Sequence, residues 1–162
     1  MKKINRGFTL IELLIVIALL GALAVGLLAA VDPFEQLKKG RDTSTRNTAA
    51  EFQGALIRFY ASRGTFPTSI AIPTTNTLNN LAGAVTELQQ AGELKTDFLL
   101  LAGTGNVTRI NINIPTSERA VVCLNPESKS FRNDQYTKYD STGNEKVGCP
   151  NATATDCYVC FQ

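Results

Sequence analysis

The chain has 162 residues and a formal net charge of +2: room for one modest globular domain plus an anchoring segment, with too little positive charge to grip nucleic acid electrostatically. It contains no histidine and no tryptophan, which removes His-based acid/base chemistry and His-ligated metal sites. No nucleotide loop, catalytic triad or paired-carboxylate site can be picked out, and a Ser or Cys nucleophile would lack a histidine base. The chain therefore reads as non-enzymatic, with no cofactor implied.

Lys2, Lys3 and Arg6 form a basic N-terminal cluster, and no charged side chain interrupts the apolar run from Leu13 to Val31. Basic residues stay cytoplasmic while an apolar segment enters the bilayer, so the N-terminus is expected inside and the bulk of the chain outside, a single-pass anchor in the plasma or inner membrane. As a helix rising ~1.5 Å per residue, residues 8–31 exceed the ~30 Å hydrocarbon core. An ordinary cleaved secretory signal has the same composition, and Ala24-Val25-Gly26 could serve as its cleavage site. Glu12 weighs against that reading. A carboxylate near the start of an apolar helix costs roughly 2.5–3.5 kcal/mol on insertion scales and calls for a partner.

The stretch Arg6-Gly7-Phe8-Thr9-Leu10-Ile11-Glu12-Leu13 resembles the processing signal of the type IV pilin and pseudopilin family. The resemblance implies a leader over residues 1–7, cleavage after Gly7 by a membrane-embedded prepilin peptidase and N-methylation of Phe8. It also makes Glu12 the carboxylate that docks the subunit into a filament, where it would pair with the new amine of Phe8 in an adjacent copy. Loss of Lys2, Lys3 and Arg6 takes the net charge from +2 to −1. The implied partners are copies of the chain itself, the prepilin peptidase, an inner-membrane assembly platform driven by a cytoplasmic ATPase, and membrane lipid before assembly.

Asp32-Pro33 closes the apolar run, and Pro33 is expected to kink or melt the helix. Residues 32–63 then form the amphipathic half of the spine. Leu37, Ala49, Phe52, Ala55 or Leu56, and Phe59 or Tyr60 recur at three- and four-residue spacing. Asp42 and Arg46 stand in the favourable i, i+4 order, which predicts a small surface ion pair. Gly64 and Pro67 mark the stop. Residues 64–162 form the globular head. Thr65 to Asn80 reads as an exposed loop and a candidate interaction surface, and Leu78 to Leu94 as a short second helix. Phe98 to Leu101, Val107 to Ile114, Ala120 to Leu124 and Cys157 to Phe161 read as strands. The prediction is an α+β chain in which a long N-terminal helical spine packs on a small antiparallel sheet of three or four strands, the pilin fold of the resembling family.

Cys123, Cys149, Cys157 and Cys160 all lie in the last quarter of the chain, and in an exported chain disulfides suit them best. Cys157-Tyr158-Val159-Cys160 has the C-x-x-C form of a zinc or redox site, but no second such pair accompanies it. Of the three possible pairings, Cys149 with Cys157 and Cys123 with Cys160 is preferred. Asp140-Ser141-Thr142-Gly143-Asn144-Glu145 reads as a surface turn. Since some resembling pseudopilins hold calcium in a C-terminal loop, Asp140, Asn144 and Glu145 are the alternative calcium ligands. Asn106-Val107-Thr108 and Asn151-Ala152-Thr153 match the glycosylation triplet, a short pattern that often arises by chance.

Three functions remain open from sequence. They are a structural subunit of a type IV pilus, a pseudopilin of a type II-like secretion system with a periplasmic filament, and a membrane-tethered binding domain that never polymerises. Glu12 argues against the third.

Overall fold

The computed structural model describes residues 7–30 and 32–162. The chain divides into two compact units, Met1–Gln36 and Leu37–Gln162. Lys2, Lys3 and Arg6 of the expected leader, and Val31 at the end of the expected span, lie outside the described residues.

In the first unit, helix α1 runs over Leu10–Ala30. Its leucine, isoleucine and valine side chains are exposed wherever described. A surface so apolar all round requires another apolar medium to cover it. Leu10–Leu28, 19 residues, is long and apolar enough to cross a membrane, about 28 Å at 1.5 Å per residue. Helix α2, Pro33–Arg63, opens behind Asp32. The Asp32 carboxylate accepts the backbone N–H groups of Phe34 (3.1 Å) and Glu35 (3.3 Å). Pro33 holds the first helical position, where no donor is needed. Where a kink or melted stretch is expected at Pro33, α1 ends at Ala30 and α2 opens with this capped start.

In the second unit, α2 turns Ala49, Phe52, Ala55, Leu56 and Phe59 into the core. Leu37, expected on the same stripe, is exposed. The helix stops at Arg63 because Gly64 takes φ +73°, which a side chain resists, and its N–H reaches the Tyr60 carbonyl at 2.7 Å. Opposite α2, four strands among the described residues form an antiparallel sheet in the order β1 (Thr74–Thr77), β2 (Ile110–Thr116), β3 (Arg119–Leu124) and β4 (Val159–Phe161). Ile110, Ile112, Ile114, Val122, Leu124 and Val159 join the α2 residues in one core. The chain is α+β.

Several sequence expectations change here. The Thr65–Asn80 stretch is no free loop: Phe66, Ile70 and Leu78 are buried and Thr74–Thr77 supplies the edge strand β1. Threonine suits a strand as readily as a loop, and only the pairing with β2 decides between them. The second helix is shorter than expected, α3 over Ala82–Gln90. The run expected as a strand at Phe98 is helix α4, Phe98–Ala102, which buries Phe98 and Ala102 four positions apart and turns Leu100 and Leu101 outward. Gly103 at φ +76° separates it from the single turn α5, Thr104–Val107. Strand β2 accordingly starts at Ile110, not Val107. An apolar run this short carries no decisive period.

Asp42 is the largest departure. It is 0% exposed and does not pair with Arg46. Its carboxylate accepts from the guanidinium of Arg109, from the backbone N–H groups of Glu127 (2.9 Å) and Ser128 (2.7 Å), and from the Ser128 hydroxyl (2.7 Å). Arg109 also donates to the Asn125 carbonyl at 2.8 Å, and Arg41 pairs with Glu127 at 3.0 Å. Helix α2 is thereby tied to the start of β2 and to the segment between β3 and the single turn α6, Lys129–Arg132.

Two further ties hold the periphery. Glu87 on α3 accepts the N–H groups of Thr68 (2.7 Å) and Ser69 (2.7 Å), which fastens the turn after α2. Burial pushes the Glu87 carboxyl up, but the hydrogen bonds from Ser69 and Thr68 outweigh it and hold its pKa below the ordinary value. All four cysteines are paired: Cys123–Cys160 staples β3 to β4 across 37 residues of chain, and Cys149–Cys157 closes a loop across 8.

Three outcomes are expected. Asp42→Ala removes the acceptor shared by the Arg109 guanidinium, two N–H groups and the Ser128 hydroxyl and should destabilise the head by about 3–5 kcal/mol in equilibrium denaturation, whereas Arg46→Ala should cost about 0.5 kcal/mol or less. Because Glu87 has a depressed folded pKa, its stabilisation is present above the unfolded value and is lost as pH falls through the folded one. Glu87→Gln should therefore be less stable at neutral pH and show a shallower loss of stability on titration below about pH 5. In the chain-entropy picture, replacing Cys123 and Cys160 by serine should cost about 4 kcal/mol, against about 2.5 kcal/mol for Cys149 and Cys157, read from paired thermal melts.

Candidate functional site

The segment Gly7–Glu12 joins an extended stretch to the first turn of α1. Gly7 and Phe8 are exposed, Phe8 at 75%, so the peptide bond between them is open to approach. Thr9 caps the helix. Its backbone N–H donates to Glu12 Oε2 at 2.9 Å, its hydroxyl donates to the same oxygen at 2.7 Å, and the Glu12 N–H reaches back to the Thr9 hydroxyl oxygen at 3.3 Å. Thr-x-x-Glu in this geometry is a capping box, in which two helix-end donors are satisfied reciprocally. The positive end of the α1 dipole adds to the attraction.

Glu12 thus has a partner inside its own chain. Its position in an apolar helix calls for a cation, as argued from sequence, and the spacing Thr9-Leu10-Ile11-Glu12 also carries a local signal that the sequence reading passed over. Among the described residues, the box leaves the second oxygen, Oε1, without a hydrogen bond. One carboxylate can therefore cap its own helix and still face an external positive charge.

The C-terminal candidates behave differently. Cys157 and Cys160 are bonded to Cys149 and Cys123 respectively, so the C-x-x-C pair is not a dithiol. Asp140 Oδ1 accepts from the Thr142 N–H (2.8 Å), the Thr142 hydroxyl (2.7 Å) and the Asn144 N–H (3.0 Å). Burial raises the Asp140 pKa, but hydrogen bonds from Thr142, Asn144 and Gly143 bring it below the ordinary value. The Asn144 carbonyl accepts from the Asp140 N–H at 2.9 Å, and Glu145 pairs with Lys138. These groups serve the turn itself, and among the described residues no group of three or more Asp, Glu, Cys or His side chains is placed to hold a metal ion. Gly143 lets the turn lie on β3: at φ +87°, an added Cβ would fall 2.4 Å from Val121 Cγ1.

Of the two glycosylation triplets, Asn106 is half-buried and donates to the Ser44 hydroxyl (3.1 Å) and the Ala102 carbonyl (2.8 Å). Asn151 is exposed, with Oδ1 accepting from the Thr153 N–H and hydroxyl.

Residues 2–28 match the family profile described as the prokaryotic N-terminal methylation motif. Over 67 residues the chain is 36% identical to the fimbrial protein EcpC of Eikenella corrodens, a stretch that covers 41% of this chain. The chain spans 42% of the length of that curated relative. No solved structure matches the chain. The apolar helix and the motif are consistent with a membrane-anchored protein. With a methylation motif at its N-terminus and a fimbrial relative over part of its length, the chain resembles the type IV pilin family in part.

Proposed function

We propose that this chain is a structural subunit of a type IV pilus, cut after Gly7, N-methylated on Phe8 and polymerised through α1. The observation that carries the reading is the continuity of the methylation motif with an apolar helix, free of charge beyond Glu12, whose described leucine, isoleucine and valine side chains are exposed. Before assembly, lipid covers that surface, with the N-terminus cytoplasmic by the basic leader. After assembly, the helices of neighbouring copies cover it. Cleavage removes three cationic side chains and creates an α-amino group on Phe8, one residue ahead of the Thr9 cap. The amine of one copy then neutralises Glu12 of the next, which removes two charges from an apolar filament core. Processing requires a prepilin peptidase, and extension requires an inner-membrane platform with its cytoplasmic ATPase. The fimbrial name of the partial relative favours a surface pilus over a secretion pseudopilus.

The test uses the capping box to separate the two tasks of Glu12. Glutamine preserves a Thr-x-x-Gln box but has no charge, so Glu12→Gln should fold and insert like the unaltered chain while falling by about tenfold or more in filaments sheared from cells. That loss corresponds to at least ~1.4 kcal/mol per subunit. A Glu12→Gln chain found in filaments at the unaltered level would remove the charge-pairing role. Mass spectrometry of the filaments should find a methylated Phe8 as the first residue, and a Gly7→Val chain should retain its leader.

A further inference from the structure

Two patches on the head, lying on opposite flanks of α2, have complementary character. The first is a cleft of about 240 Å³ between α2 and the β2–β3 turn, floored by Ile57, Tyr60 and Phe66 and rimmed by Glu118 and Arg119. Ile57 is 51% exposed within it. Gln53 lines the same cleft at 6% exposure; its Nε2 donates to the Ala120 carbonyl at 2.9 Å, but among the described residues its Oε1 has no hydrogen-bond partner. Buried acceptors are nearly always satisfied, so the cleft is a surface left unfinished in the single chain.

The second patch is apolar and exposed. Leu100 and Leu101 on α4 are 84% and 73% exposed, and Leu101, Lys95 and Glu51 line one cavity of about 190 Å³. Helix α2 contributes Ser44, Thr48 and Glu51 to this patch, and Gln53, Ile57 and Tyr60 to the cleft. Each residue of the second set follows one of the first by nine positions, two and a half turns of a helix with about 3.6 residues per turn. The two patches therefore face away from each other across one rigid element. Glu51 and Lys95 on one side, and Glu118 and Arg119 on the other, make no ion pair among the described residues.

We propose that the exposed Leu100–Leu101 pair of one copy docks in the Gln53–Ile57–Tyr60 cleft of the next, with Lys95 meeting Glu118 and Glu51 meeting Arg119. This deepens the pilus reading and rests on it. A contact between two different patches on opposite flanks is heterologous, and repetition without closure gives a helical filament. The apolar groups give up their water on docking, while the two opposite-charge pairs fix the register and disfavour other pairings.

The experiment is cysteine cross-linking in filaments sheared from cells. A chain carrying both Ile57→Cys and Leu101→Cys should give, on mild oxidation, a ladder of dimers, trimers and higher species under non-reducing conditions, whereas either substitution alone should give monomer. Filaments of normal yield without a ladder would overturn the docking and leave the pilus reading intact. Failure of the unaltered chain to form filaments would overturn both. A band from Ile57→Cys alone at the mass of another protein would put a different partner in the cleft and overturn the docking. Should the double-cysteine chain fail to assemble, a charge exchange decides. Lys95→Glu and Glu118→Lys should each lower filament yield about fivefold, near the upper end for an exposed pair, and the two together should restore it. A double variant no better than either single one overturns the proposal.

Discussion

Asp42 sits on α2 without solvent, and the head is arranged so that its charge is answered. An isolated buried carboxylate is among the most costly groups a protein can hold. Here it meets the Arg109 guanidinium, two backbone N–H groups and the Ser128 hydroxyl at once. These partners come from the start of β2 and from the segment after β3, so one side chain sets where the sheet and the C-terminal half lie against the helix. Arg109 carries the constraint onward by donating to the Asn125 carbonyl, and Glu127 links it to Arg41 at the surface.

Around that anchor the apolar core needs only ordinary complementarity. Phe52, Leu56 and Phe59 on α2 face Ile110, Ile112 and Ile114 on β2 and Val122 and Leu124 on β3, all buried. The other face of β3 is also covered, by the turn around Gly143 on Val121 and by the Cys123–Cys160 staple. Strand β3 is therefore buried on both faces, and from Ala120 to Leu124 its sequence shows a continuous apolar run where β2 alternates.

The two ends of the chain meet water by different means. At the N-terminus, exposed apolar side chains along α1 require an apolar medium to cover them. At the C-terminus, a region with little helix or strand is held by disulfides and side-chain turns such as that of Asp140, which leaves its outer surface free to vary. Glu12 belongs to the first regime, with one oxygen occupied by the cap and, among the described residues, the other without a hydrogen bond.

What the sequence by itself determined was whatever depends on local chemistry and composition. The apolar N-terminal span, the stop at Gly64, the stripe from Ala49 to Phe59, the alternation of Ile110, Ile112 and Ile114 and the methylation motif were all legible, because each is written within a few neighbouring residues. The Thr9–Glu12 box was legible too, since its spacing is local. Tertiary structure alone decided the rest. Asp42 has the spacing of a surface pair with Arg46, and only the distant arrival of Arg109 and Ser128 makes it a buried anchor. Thr74–Thr77 is a strand because β2 offers it an edge, and Phe98–Ala102 is a helix because Phe98 and Ala102 find one core face. Burial and pairing between segments far apart in the chain leave no mark in any single window of sequence.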